Sequence, residues 1–422
     1  MKLLFKRSIL MPCVLCVFFS KSHAQETNDN TDTLQNIAPK VFIDCDFCDL
    51  DYIRKEVSFV NYVRDRMQAQ VHVLVTAQQT GSGGREFTML FIGLKEFTGM
   101  NDTLVFVTSP VETGDEIRSK GAHILKLGLI RYLAQTPLGQ QVTIDVFHYS
   151  ADLTTVEDNW KNWVFSISLG GGINGQQRTS RINLRSSILI SKITPEWKIE
   201  MKPRANYSES RFQINDSTTK LSILHDQNFN TLVVKSLGEH WSVGGFARVR
   251  STIYENIKLD YRIAPAVEYN YFPYSESTRK QLRILYKIGY THYNYIDTTI
   301  FNEIEEGLFH ENLGVAFEIK DKWGSISFSL NGFHYFHDFS KNSLWFSTNL
   351  YIRLFKGFSF WISANYSFVH DQVNLRKGEA TEQDIFLRQR ELATEFRYRG
   401  NVGINYTFGS IYNNVVNPRF GN

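Results

Sequence analysis

Four aspartates near the start of the chain are the first residues whose type and spacing could support chemistry. Asp44, Asp46, Asp49 and Asp51 fall at the junction of a predicted buried strand and a predicted helix. Carboxylate oxygens are ligands that Ca²⁺ prefers, but calcium loops also need a glycine for their sharp turn, and this segment has none. Because Asp49 and Asp51 lie where the helix begins, capping of its first turn is the favoured role for them. The sequence therefore predicts no metal site.

Two cysteines lie within the same segment. Cys45 and Cys48 sit between a strand and a helix, where thioredoxin-like folds place a redox-active pair. The chain lacks the tryptophan and the Gly-Pro insert that flank the pair in that family. In an oxidising compartment a structural disulfide is the favoured interpretation, so Cys45 and Cys48 are disulfide candidates.

Residue types of a serine hydrolase occur together near the end of one predicted strand. His334, His337, Asp338 and Ser340 could suggest a lipase, but no motif of the outer-membrane phospholipases flanks them. A histidine beside a loop is usually only solvated, and no acid–base constellation supports catalysis. The glycine-rich loop 81–84 joins two strands and opens no helix, so it predicts no phosphate cradle. We expect no enzyme, no catalytic residue and no cofactor.

Charged residues form the largest candidate set, because they recur on one face of long alternating segments. If these segments are strands of a barrel, this face is the lumen. Charges there must be paired or hydrated, since burial of an unpaired ion is costly. Two alternatives follow, a salt-bridged interior that only holds the barrel closed, or a narrow positive pore that favours anions. The cationic candidates are Arg185, Lys198, Lys202, Arg204, Arg248, Arg250, Arg262, Lys287, Arg353, Arg397 and Arg399, and the acidic candidates are Glu200, Glu268 and Glu395.

The segments that carry these charges alternate with period two from about residue 160 onward. In the stretch 358–368 every even position is apolar or aromatic, whereas the odd positions are mostly serine and asparagine. Successive strand residues point to opposite sides of a sheet, so each such segment has one apolar and one polar face. About twelve segments of this kind begin near Trp163, Arg181, Glu196, Leu221, His240, Ile257, Gln281, Leu308, Gly324, Ser343, Gly357 and Glu391.

A transmembrane barrel explains the length of these segments, their alternation and their aromatic ends together. The links after the second, eighth and tenth segments are tight, whereas those after the third, seventh and eleventh are longer and polar, the longest covering 370–390. Short turns on one side and long loops on the other are typical of outer-membrane barrels. The predicted fold class is α+β, a small N-terminal α/β domain followed by an antiparallel transmembrane β-barrel of about 12 strands, within a range of about ten to fourteen.

The last segment resembles the C-terminal assembly signal of outer-membrane proteins. A polar residue, a glycine and two aromatics recur there at fixed spacing, and Gly403, Tyr406 and Phe408 match that spacing. The resemblance implies that the barrel-assembly machinery recognises the chain. Residues 160–408 resemble outer-membrane barrel families of unknown function, including the salt-induced outer-membrane protein type. The chain departs from the pattern by continuing to Asn422, so 409–422 is predicted to be a periplasmic tail.

The N-terminus carries the features of an export signal. Lys2, Lys6 and Arg7 precede an apolar stretch, and small residues at Ser22 and Ala24 mark a cleavage site. Residues 1–24 are therefore predicted to be a signal peptide. The polar residues 25–37 are predicted to be a flexible leader.

Residues 38–150 are predicted to form a periplasmic α/β domain. Strands are expected at 41–43, 71–76, 87–92, 104–108 and 142–147, with helices at 51–65 and 114–134. This part is loosely similar to the α/β periplasmic modules attached to outer-membrane assembly and transport proteins. Binding of a periplasmic protein partner by this domain is one expectation from that likeness.

Composition excludes several other classes. A net charge of +3 in 422 residues gives no electrostatic footprint for nucleic acid. Hydrophobic residues make up 42% of the chain and aromatic residues 14%, which argues against global disorder. We expect an outer-membrane protein of a Gram-negative bacterium, in contact with outer-membrane lipid, acting as a narrow anion-favouring channel or transporter. The alternative is a non-conducting structural or assembly barrel whose α/β domain binds a partner protein.

Overall fold

The computed structural model describes residues 37–81, 83–143, 158–381, 384, 389–410, 412, 414 and 419. The predicted signal peptide, nearly all of the predicted leader and most of the predicted strand at 142–147 lie outside these residues. Within the chain, Ala38–Asn422 form one compact unit. No helix among the described residues has the length and apolar character needed to cross a membrane.

A small α/β module precedes a long antiparallel sheet. Its five strands pair in the order β2-β1-β3-β4-β5, with β1 parallel to both of its neighbours and the remaining pairs antiparallel. Apolar side chains of the sheet and the longer helix, such as Val73, Phe91 and Leu129, form its buried core. The elements are β1 Lys40–Asp44, α1 Leu50–Glu56, β2 Asn61–Tyr62, β3 Val71–Gln79, β4 Arg85–Gly93, β5 Asn101–Thr108 and α2 Gly114–Leu133.

The prediction of a helix over 51–65 is wrong beyond its first half. Helix α1 ends at Glu56, and Asn61–Tyr62 join the edge of the sheet beside β1. Val57 and Val60 are both buried, so their spacing reflects two separate contacts with the core rather than one helical face. A short helix followed by a strand can bury residues at the same spacing as one longer helix. A helical spacing that covers only a few residues is therefore ambiguous.

Residues from Trp163 to Tyr406 form twelve antiparallel strands, each paired with its neighbours in chain order. The fold class is therefore α+β with a barrel-like sheet, as the alternation predicted. Among the described ladders none joins the first strand, β6, to the last, β17. The strands are β6 Trp163–Gln176, β7 Thr179–Ile193, β8 Trp197–Asn215, β9 Thr218–Ser236, β10 Trp241–Thr252, β11 Ile257–Asn270, β12 Lys280–Tyr295, β13 Glu305–Asp321, β14 Gly324–Tyr335, β15 Asp338–Phe355, β16 Phe358–Val369 and β17 Phe396–Tyr406.

Most strands have a predominantly apolar outer face and a more polar inner face. On β10 the outer positions Val243 and Val249 are exposed, whereas the inner positions include Arg248 and Arg250. The strands contain 11 to 19 residues. A strand tilted in a membrane needs about 9–11 residues, so every strand is long enough to span one.

The prediction of a longer polar link after the third segment is wrong. Strands β8 and β9 are separated by only Asp216 and Ser217, because the polar residues on both sides of this turn stay paired in the ladder. The links after the seventh and eleventh segments are longer, covering 296–304 and 370–395. These two links lie at the end of the sheet opposite the α/β module.

Candidate functional site

The inner face of β10 and β11 holds a neutralised cluster of two arginines around one carboxylate. Arg248 Nε donates to Asp260 Oδ1 at 3.0 Å, and Arg250 Nε donates to Asp260 Oδ2 at 2.9 Å. Arg250 also pairs with Glu255 at 2.7 Å. Asp260 is fully buried at 0% exposure, so its charge is compensated by these two arginines rather than by water. We call Arg248, Arg250, Glu255 and Asp260 the neutralised cluster.

A second group of cations on the same face forms no ion pair among the described residues. Arg262 donates from Nε to Thr291 Oγ1 at 2.7 Å and from a terminal nitrogen to the Tyr293 hydroxyl at 3.2 Å. The guanidinium lies 5.9 Å from the centre of the Phe333 ring. The Lys287 ammonium lies 5.0 Å from the centre of the Phe246 ring. Across the described part of the chain, neither cation forms an ion pair with a carboxylate.

His310 completes this second group. Its side chain is 3% exposed, and Nε2 lies 3.0 Å from Thr291 Oγ1. Its Nδ1 has no hydrogen-bond partner among the described atoms. The ring fits because it lies over Gly289 on the next strand, where a methyl group would stand 2.1 Å from ring carbon Cε1. We call Arg262, Lys287 and His310 the open cluster.

The open cluster lines an inner cavity of about 390 Å³. Its apolar walls include Leu232, Phe246 and Phe333, and Asn312 contributes an Oδ1 atom that lacks a hydrogen-bond partner among the described residues. Glu200 is the one acidic side chain in the described lining, and Lys202 pairs with it at 2.5 Å. The cavity therefore combines apolar walls with two cations, Arg262 and Lys287, that form no ion pair within the described residues.

The other predicted lumen residues divide between paired and unpaired positions on this face. Glu200 pairs with Lys202 and, at 3.6 Å, with Lys198. Two further predicted residues form ion pairs, since Glu268 pairs with Arg283 and Arg397 pairs with Glu391. Four predicted residues share this face by strand register or adjoin it and form no ion pair within the described residues, and these are Arg185, Arg204, Arg399 and Glu395.

Arg353 belongs to a different site, a latch between the sheet and the α/β module. Its terminal nitrogens donate to both oxygens of Asp44 on β1, at 2.7 and 2.5 Å. His72 Nε2 on β3 lies 3.2 Å from the same carboxylate. Burial alone raises the pKa of Asp44, but hydrogen bonds from His72 and Arg353 outweigh it and hold that pKa below its usual value. Burial lowers the pKa of His72 despite the neighbouring carboxylate.

Hydrogen bonds between side chains and the backbone extend the same latch. Asp65 accepts a hydrogen bond from the Gly357 N–H in the turn between β15 and β16. Arg64 donates to the carbonyl of Ser410, and Tyr412 bridges to Val63 beside edge strand β2. The predicted periplasmic tail, 409–422, is therefore anchored to the α/β module at its described residues 410, 412 and 414.

The opposite end of the sheet is covered by part of the last loop. Val373 packs among Tyr293, Tyr295 and Tyr335 on the inner face. Asn374 Nδ2 donates to the Glu255 carbonyl at 2.8 Å, in the link between β10 and β11. Since this loop starts from β16, five strands beyond β11, it connects distant strands at this end of the sheet. We call residues 370–377 the strap.

The remaining sequence candidates occupy structural positions. Cys45 and Cys48 are joined as a disulfide. Asp49 caps α1 by accepting from the Tyr52 N–H at 3.0 Å, and the described residues contain no group of side chains that could hold a metal. His334 contacts Glu311 at 2.6 Å, whereas the Ser340 hydroxyl donates to Asp338, so these side chains form no relay.

The predicted assembly signal also has a packing role. Gly403 pairs with Trp361 on the inner face, where a methyl group on Gly403 would stand 2.5 Å from the indole ring. Tyr406 is the last residue of β17, and Phe408 follows the strand. A bulkier residue at position 403 would displace Trp361.

Sequence reasoning missed the residues that complete both sites. Asp44 was weighed only as a metal ligand, and His72 only as part of a strand. His310 and Asn312 lie at inner positions of β13, which the alternation could have identified. No local signal links Asp44 to Arg353, because these residues are 309 positions apart.

Comparisons with known proteins give structural likeness alone. No protein-family model matches the sequence, and no curated protein matches it. Five chains of known structure match. One is the NanC porin, at 11% identity and a TM-score of 0.28 over 57% of this chain and 99% of that chain. Another is the translocator domain of the autotransporter NalP from Neisseria meningitidis, at 8% identity and a TM-score of 0.19 over 58% of this chain and 80% of that chain.

Proposed function

We propose that this chain is an outer-membrane β-barrel protein with an anion-favouring lumen. The strand lengths, the apolar outer face and the aromatic strand ends support placement in an outer membrane. The α/β module would then lie in the periplasm and the strap at the cell surface. Outer-membrane lipid would contact the outer face, and the barrel-assembly machinery would insert the chain during biogenesis.

The open cluster is the observation that carries the anion preference. Arg262 and Lys287 lie on the inner face without a carboxylate within ion-pair distance among the described residues. Two uncompensated cations in a low-dielectric surrounding attract an anion and repel a cation more strongly than they would in water. The neutralised cluster contributes little to this field, since Asp260 and Glu255 compensate its two arginines.

A planar-bilayer recording tests this function. The refolded chain, shown to be a folded barrel by heat-modifiable migration on a gel, is added to a bilayer under a salt gradient. We expect small, steady conductance steps with a reversal potential that favours the anion. A cation-favouring reversal potential would contradict the proposed function.

A second candidate is a barrel that does not conduct and serves as a structural or assembly partner. The strap favours it, because Val373 packs on tyrosines of the inner face and Asn374 binds the link between β10 and β11 at the same end of the sheet. In this case the same recording stays silent with folded protein. We then expect that deletion of the strap leaves the bilayer silent as well. The α/β module would be the part that binds a periplasmic protein.

A further inference from the structure

We propose that the cavity beside the open cluster binds a small organic anion that joins one carboxylate to an apolar ring. The inference rests on the proposed anion preference and names the class of ligand that this cavity would hold. It depends on three features of the cavity: where its charges lie, what its walls are made of, and which polar atoms are unpaired.

The charges leave room for one anionic group. Arg262 and Lys287 each lie against the face of an aromatic ring, at 5.9 and 5.0 Å from the ring centres of Phe333 and Phe246. A cation over a ring is attracted by that ring but keeps its full charge, so its other side can still receive an anion. The hydrogen bonds that Arg262 donates to Thr291 and Tyr293 fix the orientation of its guanidinium.

The walls favour an apolar ring over an inorganic ion. Phe246, Phe333, Leu232 and Ala264 all line the cavity. Its volume of about 390 Å³ lies at the lower end of the range of about 300–1,000 Å³ in which small ligands bind. A hydrated inorganic anion would leave these apolar walls in contact with water, whereas a ring between the two phenylalanines would cover them.

An unpaired polar atom in the lining points to a ligand as well. His310 is almost fully buried, and its Nδ1 has no hydrogen-bond partner within the described residues. Buried polar groups in folded proteins are generally hydrogen-bonded to protein, water or ligand. A buried ring nitrogen of this kind, beside two cations that form no ion pair within the described residues, can donate a hydrogen bond to a carboxylate in the cavity.

Isothermal titration with benzoate tests the inference on the refolded full chain in a nonionic detergent. Benzyl alcohol has the same ring without the charge, and acetate has the charge without the ring. We expect benzoate to bind more tightly than either. We expect Lys287→Met to weaken benzoate binding by about 10- to 100-fold, the range for losing a charge-assisted hydrogen bond.

Lys235→Met is the matched control. Lys235 also lies over an aromatic ring, 5.5 Å from the centre of Trp197, but on the outer face. We expect it to leave benzoate binding unchanged. Equal binding of benzoate by wild type and Lys287→Met, equal binding of benzoate and benzyl alcohol, or no binding at millimolar benzoate would overturn the inference. Anion-favouring conductance without benzoate binding would refute this site alone, whereas benzoate binding with a silent bilayer would refute the channel alone.

Discussion

The neutralised cluster and the open cluster lie on adjacent strands of one face, yet their charges are handled differently. Arg248 and Arg250 share the fully buried Asp260, whereas the partners of Arg262 and Lys287 within the described residues are hydroxyls and aromatic rings. The strand alternation places all four cations inside, so it does not distinguish the two groups. The two groups differ because Asp260 on β11 binds both arginines of β10.

This difference separates a structural role from a binding role. A buried carboxylate that holds two arginines makes the barrel wall depend on that contact, and its loss leaves charges without compensation. Cations without a carboxylate contribute no such contact and remain able to attract a mobile anion. Removing a charge should therefore destabilise the neutralised cluster and leave the stability of the open cluster nearly unchanged.

Asp260→Asn should have the largest effect. The substitution leaves Arg248 and Arg250 without their shared carboxylate, and breaking a buried ion pair costs about 3–5 kcal/mol of the free energy of unfolding. Urea unfolding of the detergent-solubilised barrel, followed by tryptophan fluorescence, measures this loss. Glu268→Gln is the matched control, since it removes the carboxylate of one 3.6 Å ion pair near the end of the same strand. Equal losses of unfolding free energy for the two variants would show that the neutralised cluster stabilises the barrel no more than the Glu268 ion pair does.

Acidification should have an intermediate effect at the latch, where charge and burial are also combined. The pKa values of His72 and Asp44 are both lower in the folded module than in the unfolded chain, so the unfolded chain binds more protons. Stability therefore falls as pH decreases below the usual His72 pKa of 6.5, and falls further below the usual Asp44 pKa of 3.8. The loss from His72 alone is at most about 1.4 kcal/mol per pH unit.

Hydrogen exchange of the β3 amides between pH 7 and pH 5, corrected for the intrinsic exchange rate, measures this loss. We expect the protection of these amides to fall as the pH is lowered in the wild type. In His72→Gln we expect it to be nearly independent of pH. The exposed His123 on α2 supplies the control, and His123→Gln should keep the wild-type slope. A wild-type slope that persists in His72→Gln would rule out His72 as its source.

Lys287→Met should have the smallest effect on stability. It removes a charge that has no carboxylate to leave behind, so we expect the free energy of unfolding to change by less than about 1 kcal/mol, or to rise slightly. The same urea titration measures it, with Lys235→Met on the outer face beside it. A loss as large as that of Asp260→Asn would place Lys287 among the structural charges and end the distinction between the two clusters.

The sequence predicted the sheet well because alternation is a strict local signal. A two-residue period assigned positions to faces in most of the strands from Trp163 to Tyr406, although the fourth segment, 221–237, alternates poorly. A slip of one residue would have reversed the faces of a strand. The helix expected over 51–65 failed because two buried valines imitated helical spacing. Contacts between distant segments were beyond local patterns, as in the latch from Asp44 to Arg353, the strap against Tyr293, and the tail beside Val63.

The reversal potential of wild type and Lys287→Met, recorded in the same bilayer under the same salt gradient, tests the central claim most directly. The open cluster predicts an anion preference in the wild type that falls toward zero in the variant. The same preference in both proteins would contradict the claim, because the selectivity would then arise elsewhere in the lumen.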